Sequence, residues 1–321
     1  MSLPTIVPKR DPVLTAFVTE YKNQDFVGDQ VFPIIESDNR TVKFASLDKL
    51  NLFQSVDDTL ARDGEANDVG FGGSVATDRM ANHALKAVIN REELEDEDFT
   101  DTAMDALQII RSSLALRREV RQANLLYAAL DGAGRSSDPG NWADYSGAAV
   151  DVLTQVRDKA NAALYPYTHL VCPKQVFIKL ERHPVLLAAY FDGNSGNKIL
   201  KKEQLCDLFG VPNMLIPNGR VATQRRPTVV SGSLDNLSRI WGNHLFMVRV
   251  SNTVPNRMEP GCTYQFRRRW TKGSVGDNMQ VRTWELPQKG IGGSYVVQQE
   301  YQSLDKVLST EMGYVFKDVL T

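Results

Sequence analysis

A helix of about thirty residues, entered from a long glycine-rich acidic stretch, limits what this chain can fold into more than any other feature. The stretch reads SVDDTLARDGEANDVGFGGSVATDRMANHALKAV, and the helix follows from about Phe99 to Leu130. A compact domain rarely carries so long an irregular segment. A projecting ribbon followed by a partly exposed rod points to a subunit completed by its neighbours.

The helix is legible in detail. Before it lies EELEDEDFTD, with seven acids between Glu92 and Asp101, where carboxylates favour the positive end of a helix dipole. Asp98 or Thr100 is placed to cap the first turn. Phe99, Ala103, Leu107, Ile110 and Leu114 form one apolar stripe, which then shifts to Leu116, Val120, Ala123 and Tyr127. Arg111, Arg117, Arg118 and Arg121 gather toward the C-terminal half. About 30 residues make a rod of roughly 45 Å, and the drifting stripe predicts different partners along its length.

Residues 1–50 carry Pro4, Pro8, Pro12 and Pro33 with short extended pieces, which predicts an arm with one helical turn near Val13–Tyr21. Residues 51–90 predict a long β-hairpin, with Gly64, Gly70, Gly72 and Gly73 at turns and bulges. Asp57, Asp58, Asp63, Glu65 and Asp68 make it acidic, against Arg62. A surface loop could share this composition. An isolated ribbon is marginal in water and its edges invite pairing, which favours a ribbon docked on another subunit.

After a loop (DGAGRSSDPGNWADY), the pattern from about 147 to 262 is α/β. Ser146 is a candidate cap for a helix facing its core with Val150, Leu153, Val156 and Ala160. HLVC reads as a buried strand, and Pro173 opens a helix that His183-Pro184 ends. A helix from Lys201 to Phe209 stops at Gly210, and MLIP follows as a strand. RIWGNHLFMVRV predicts a strand pair or one bent strand, and 263–321 is mostly β.

At 321 residues with 42% hydrophobic and 24% charged residues, the chain is globular and long enough for about two domains. A net charge of −2 argues against a strongly DNA-attracting surface. Cys172, Cys206 and Cys262 are scattered, without disulfide or zinc spacing, and no apolar run approaches a membrane span. The glycine-rich phosphate loops, the nucleophile elbow and the zinc-protease helix motif are all missing. His83, His169, His183 and His244 fall in four different elements. Catalytic, cofactor and metal residues are therefore expected to be none. Arg267-Arg268-Arg269-Trp270 could grip phosphates. In a strand, however, the three arginines alternate faces, and pairing with acidic segments of a neighbouring subunit is favoured.

DPVLTAFVTEYKNQDFVGDQVFPII, DDTLARDGEANDVGF, LALRREVRQANLL, THLVCPKQVFIKLERHP, EQLCDLFGVPNMLIP and RIWGNHLFMVRV, in this order, resemble the major capsid proteins of tailed bacteriophages with the Hong Kong 97 type of fold. The resemblance implies an α+β fold with an N-terminal arm (1–50), an extended loop lying over an adjacent subunit (51–90) and a spine helix opening a peripheral domain (91–146). It further implies an axial domain (147–262) and the remaining peripheral strands (263–321). The protein would assemble with itself as hexamers and pentamers into an icosahedral virion shell around double-stranded DNA, after synthesis in the host bacterial cytoplasm. A portal, a decoration protein and a separate scaffolding protein are the further partners, with no membrane involved.

Some members of that family cross-link a loop lysine to a neighbour's asparagine. No lysine lies between Asn51 and Leu85, so a shell without covalent links is expected. Candidate inter-subunit contacts, chosen from charge and position, are Asp57, Asp58, Arg62, Glu65 and Phe71 on the ribbon and Arg117, Arg118 and Arg121 on the spine. A cellular nanocompartment shell of the same fold is the alternative, and a hydrolase built from scattered Asp and His the remote one.

Overall fold

The computed structural model describes residues 9–10, 26–45, 75–91, 99–145, 150–191, 198–222, 237–253, 255, 261–272, 278–290 and 292–320. The turn expected near Val13–Tyr21, the ribbon residues Asp57, Asp58, Arg62, Glu65 and Phe71, and Ser146 lie outside them.

Two sheets carry the fold. The larger is built from β1 (Lys9–Arg10), β2 (Ile34–Ser37), β5 (Ala81–Asn90), β12 (Thr263–Arg268), β13 (Met279–Leu286) and β14 (Ser294–Val307). Strand β14 is its axis. Tyr301 faces both Met279 and His83, and Ser303 faces both Arg267 and Ala81. Strands β13 and β12 therefore share one side of β14, and β5 takes the other. The smaller sheet has the order β6 (Ser136–Ser137), β15 (Gly313–Phe316), β11 (Leu245–Val248), β7 (His169–Val171) and β8 (Asn213–Leu215).

The long helix α2 (Phe99–Gly132) joins the two, and its drifting stripe is the reason it does so. Ala103, Leu107, Ile110 and Leu114 pack on the larger sheet, against Ile89, Val281, Val297 and Tyr301. Ala123, Leu126 and Leu130 pack on the smaller one with Val171, Phe246, Val248 and Val315. Between these halves the inward positions are Glu119 and Gln122, both buried. Of the second stripe expected through Leu116, Val120, Ala123 and Tyr127, Ala123 is buried, whereas the other three are only partly buried and a polar patch takes the inward face beside it.

The other face of the smaller sheet carries α3 (Val152–Asn161), α4 (Lys174–Leu180), α5 (Pro184–Tyr190) and α6 (Lys202–Phe209), around Val152, Val156, Leu180, Leu186, Leu205 and Phe316. Asp151 caps α3, its carboxylate accepting from the Thr154 N–H at 3.0 Å. Gly210 ends α6 with φ 67°, in the left-handed region that glycine enters freely. His183-Pro184, expected only to stop α4, also starts α5. Proline occupies the first helical position, where its missing N–H costs nothing.

Two further expectations are corrected. The ribbon strands are β3 (Thr41–Ala45) and β4 (Val75–Arg79), paired from Thr41↔Arg79 to Ala45↔Val75, while β5 lies within the larger sheet. Met80 is the reason, because it is buried with Val42, Phe44, Tyr264 and Phe266 and anchors the chain where ribbon becomes sheet. The last strand, β15, lies not beside the late strands but in the smaller sheet, since Tyr314 and Phe316 fill its helical core and Val315 packs toward α2.

Candidate functional site

The polar patch on α2 is the most elaborated site among the described residues. Glu119 accepts from the Val27 N–H at 3.0 Å, the Gly28 N–H at 2.8 Å and the Trp241 indole N–H at 2.7 Å. Val27 and Gly28 begin the one-turn helix α1 (Gly28–Val31), which has no side-chain cap of its own. Helix α2 thus supplies the cap that the arm's sequence lacks, satisfying amides that would otherwise be buried unpaired. Burial pushes the Glu119 carboxyl above its usual range, and the three N–H donors pull against that shift.

Asp305, at the end of β14, accepts from Arg121 at 2.7 Å, Gln122 at 3.2 Å and Gln265 at 2.7 Å. Asp29 of the arm pairs with Arg118 at 2.7 Å and Arg267 at 3.1 Å. Burial first, then repulsion from Arg118, lowers the Arg267 guanidinium to about 10, with Asp29 opposing. The Thr263 hydroxyl donates to the Val31 carbonyl. Arm, long helix, β12 and β14 therefore meet in one polar knot that chemically resembles a joint. Among the described residues no group of three or more His, Cys, Asp or Glu could hold a metal ion.

This placement bears on the arginines singled out from the sequence. Arg118 and Arg121 both pair within the chain, to Asp29 and Asp305. Arg117 is exposed and makes no ion pair among the described residues. In the basic run, Arg267 turns toward Asp29, while Arg269 pairs with Glu36 at 3.0 Å and Asp38 at 3.3 Å. The expectation of acidic partners on a neighbouring subunit is corrected for Arg267 and Arg269, whose carboxylate partners Asp29, Glu36 and Asp38 belong to the chain's own arm. Arg268, on the opposite face, lies over the Trp270 ring and donates to Gln302. His83 lies in β5, His169 in β7, His183 just before α5 and His244 just before β11.

Sequence reasoning missed Glu119, Gln122, Gly28, Asp29, Gln265 and Asp305. One signal was present: Glu119, Gln122, Leu126 and Leu130 recur at 3–4 residue spacing, so two polar residues open the stripe that Leu126 and Leu130 continue. The other partners are remote in sequence and left no local trace.

No family model matches the chain. It is 22% identical over 325 aligned residues to the major capsid protein of Pseudomonas phage JBD67, covering 97% of each. Among solved structures it resembles a phage-related protein from Bordetella bronchiseptica RB50, with 17% identity, 98% of both chains covered and a TM-score of 0.68. It also resembles the capsid of cyanophage P-SCSP1u, with 9% identity, 92% of this chain and 89% of that one covered, and a TM-score of 0.56. The chain thus shares an α+β capsid fold with solved phage capsid proteins and is similar along its whole length to a curated phage major capsid protein.

Proposed function

We propose that the protein self-assembles as hexamers and pentamers into an icosahedral shell of the Hong Kong 97 type around double-stranded phage DNA, and that it acts mechanically rather than as an enzyme. The whole-length likeness to a phage major capsid protein carries this reading. Many modest interfaces multiplied by closed symmetry would supply the stability of the particle.

In this scheme the chain up to β3 is the arm, the ribbon of β3, β4 and the segment between them is the projecting loop, and α2 is the spine shared by a peripheral domain on the larger sheet and an axial domain on the smaller. Lattice contacts fall to Asp57, Asp58, Arg62, Glu65 and Phe71 on the loop and to Arg117 on the spine. Arg118 and Arg121 serve the lattice by holding the spine to the arm and to β14. Scaffolding, portal and decoration proteins and the packaged DNA are the further partners. Synthesis takes place in the host bacterial cytoplasm.

Negative-stain electron microscopy of the purified protein, with its mass by light scattering, tests the scheme. Closed shells or rings of five and six are expected. A uniform monomer, even with scaffold and crowding supplied, would overturn it.

A further inference from the structure

Strand β5 has one partner, β14, over its whole length from Ala81 to Asn90. Among the described residues its other edge pairs with nothing. It is ten residues long, contains no proline, and carries one formal charge, Lys86. Sheets rarely leave such an edge bare, because its free N–H and C=O groups are a template for another strand.

A second observation lies along the same edge. Helix α2 overhangs it, leaving a groove of about 450 Å³ lined by Leu85, Ile89, Thr102, Ala106, Ile109 and Ser113. Ile109 is 68% exposed and Leu85 39% exposed. A strand added to β5 would lie beneath this flank of α2 and cover both. The occupant must be extended, free of proline, and apolar at alternate positions toward the helix. Strand β5 itself meets these demands with Leu85, Ala87 and Ile89.

We propose that β5 docks on the β5 of a second copy of this chain, antiparallel, about a two-fold axis beside Leu85. The register follows from charge and length. A two-fold normal to the sheet keeps both long helices on one face and pairs residues of like parity. Centred on Lys86, it would set that ammonium against its own copy, which is destabilising. Centred on Ala84, it would overlap only Ala81 to Ala87. Centred on Leu85, it pairs Ala81 with Ile89 and Ala84 with Lys86 and opposes no like charges. Each copy meets the same patch on the other, the isologous contact that a two-fold requires. The pairing joins the larger sheets of two subunits into one sheet, with the exposed flanks of the two α2 helices turned toward each other.

The inference rests on the self-assembly reading, and its test separates the two. Leu85→Cys would place two thiols directly opposite across the axis, with Cα atoms about 4.5–5.5 Å apart, inside disulfide range. After mild diamide oxidation of assembled particles, a non-reducing gel should show most Leu85→Cys subunits as dimers, joined 85 to 85 by mass spectrometry. Ala81→Cys, which faces Ile89, should remain monomeric. Amides of residues 81–89 that point away from β14 should exchange about tenfold more slowly in particles than in unassembled subunits. Intact particles by microscopy with no 85-to-85 dimer and no added protection would overturn the pairing while leaving the shell reading standing. A Leu85→Cys adduct to any other segment or protein would overturn it equally.

Discussion

The Glu119 carboxylate accepts the Gly28 amide at 2.8 Å and sits so close that residue 28 has no room for a Cβ. An added methyl would overlap the side-chain oxygens of both Glu119 and Gln122. One turn of the arm is thereby fastened to the middle of the long helix, at the point where that helix passes from one sheet to the other. The arm from Val27 to Ser37 is therefore an integral part of the subunit, tied by Glu119, by Arg267 through Asp29, and by its pairing with β12.

Removing the fastening from the helix side should be costly. Glu119→Leu strands two backbone N–H groups and the Trp241 indole in the interior, and a loss of about 3–5 kcal/mol is expected. Glu119→Gln keeps one acceptor oxygen and should lose about 1–3 kcal/mol. Urea unfolding of the unassembled subunit checks both. Equal stability for the wild type and Glu119→Leu would show that the cap contributes nothing.

Removing it from the arm side should act locally. Gly28→Ala forces Glu119 and Gln122 aside, at a cost of about 1–3 kcal/mol for overpacking. The Val27 and Gly28 amides should then exchange with solvent much faster, while Leu126 and Leu130 keep their protection. Unchanged exchange at both amides would mean the close approach is not maintained.

Asp305 is the second centre of the knot. Its side chain is 3% exposed and accepts from Arg121, Gln122 and Gln265. Asp305→Ala leaves buried donors without their acceptor, and about 3–5 kcal/mol should be lost. Asp305→Asn should fall between the two, and calorimetry of the three proteins orders them.

Acid should loosen the same region through His83, which lies 3.5 Å from Arg121 and against the Tyr301 ring. Burial, then the Arg121 charge, holds its pKa down to about 4, with Asp305 pulling the other way and Arg118 adding a little. The unfolded chain titrates near 6.5, so between pH 6.5 and 4 only the unfolded state takes the proton. The contribution is complete above 6.5 and declines as pH falls toward 4. His83→Gln should unfold with a shallower pH dependence across that window. A wild-type curve flat from pH 7 to 4.5 would refute the assignment.

The lattice assignment predicts a different phenotype. Asp57→Lys with Asp58→Lys, or Arg117→Glu, should leave the circular dichroism and unfolding midpoint of the subunit unchanged and lower particle yield severalfold. Wild-type particle numbers from these variants would remove those residues from the lattice contacts.

Much of the chain was legible from local pattern. The spacing of Ala103, Leu107, Ile110 and Leu114 marked the long helix, Gly210 marked the end of α6, and Pro173 marked the start of α4. Each of these rests on chemistry within a few residues. The pairing of β4 with β3 instead of β5 was hidden, because Met80 acts through Tyr264 and Phe266, nearly two hundred residues away in sequence. So was the return of β15 to the smaller sheet.

What the sequence determined alone was the inventory: a rod with a drifting stripe, an acidic ribbon, an α/β segment, late strands, and the order of all four. Backbone propensity and side-chain periodicity are local properties, and they suffice for that. Only the tertiary structure decided that the drift places the two ends of one helix on two sheets, and that Glu119 and Gln122 fill the gap between them. A buried carboxylate is tolerable only where distant donors converge on it. Val27, Gly28 and Trp241 converge on Glu119 only after the chain has folded.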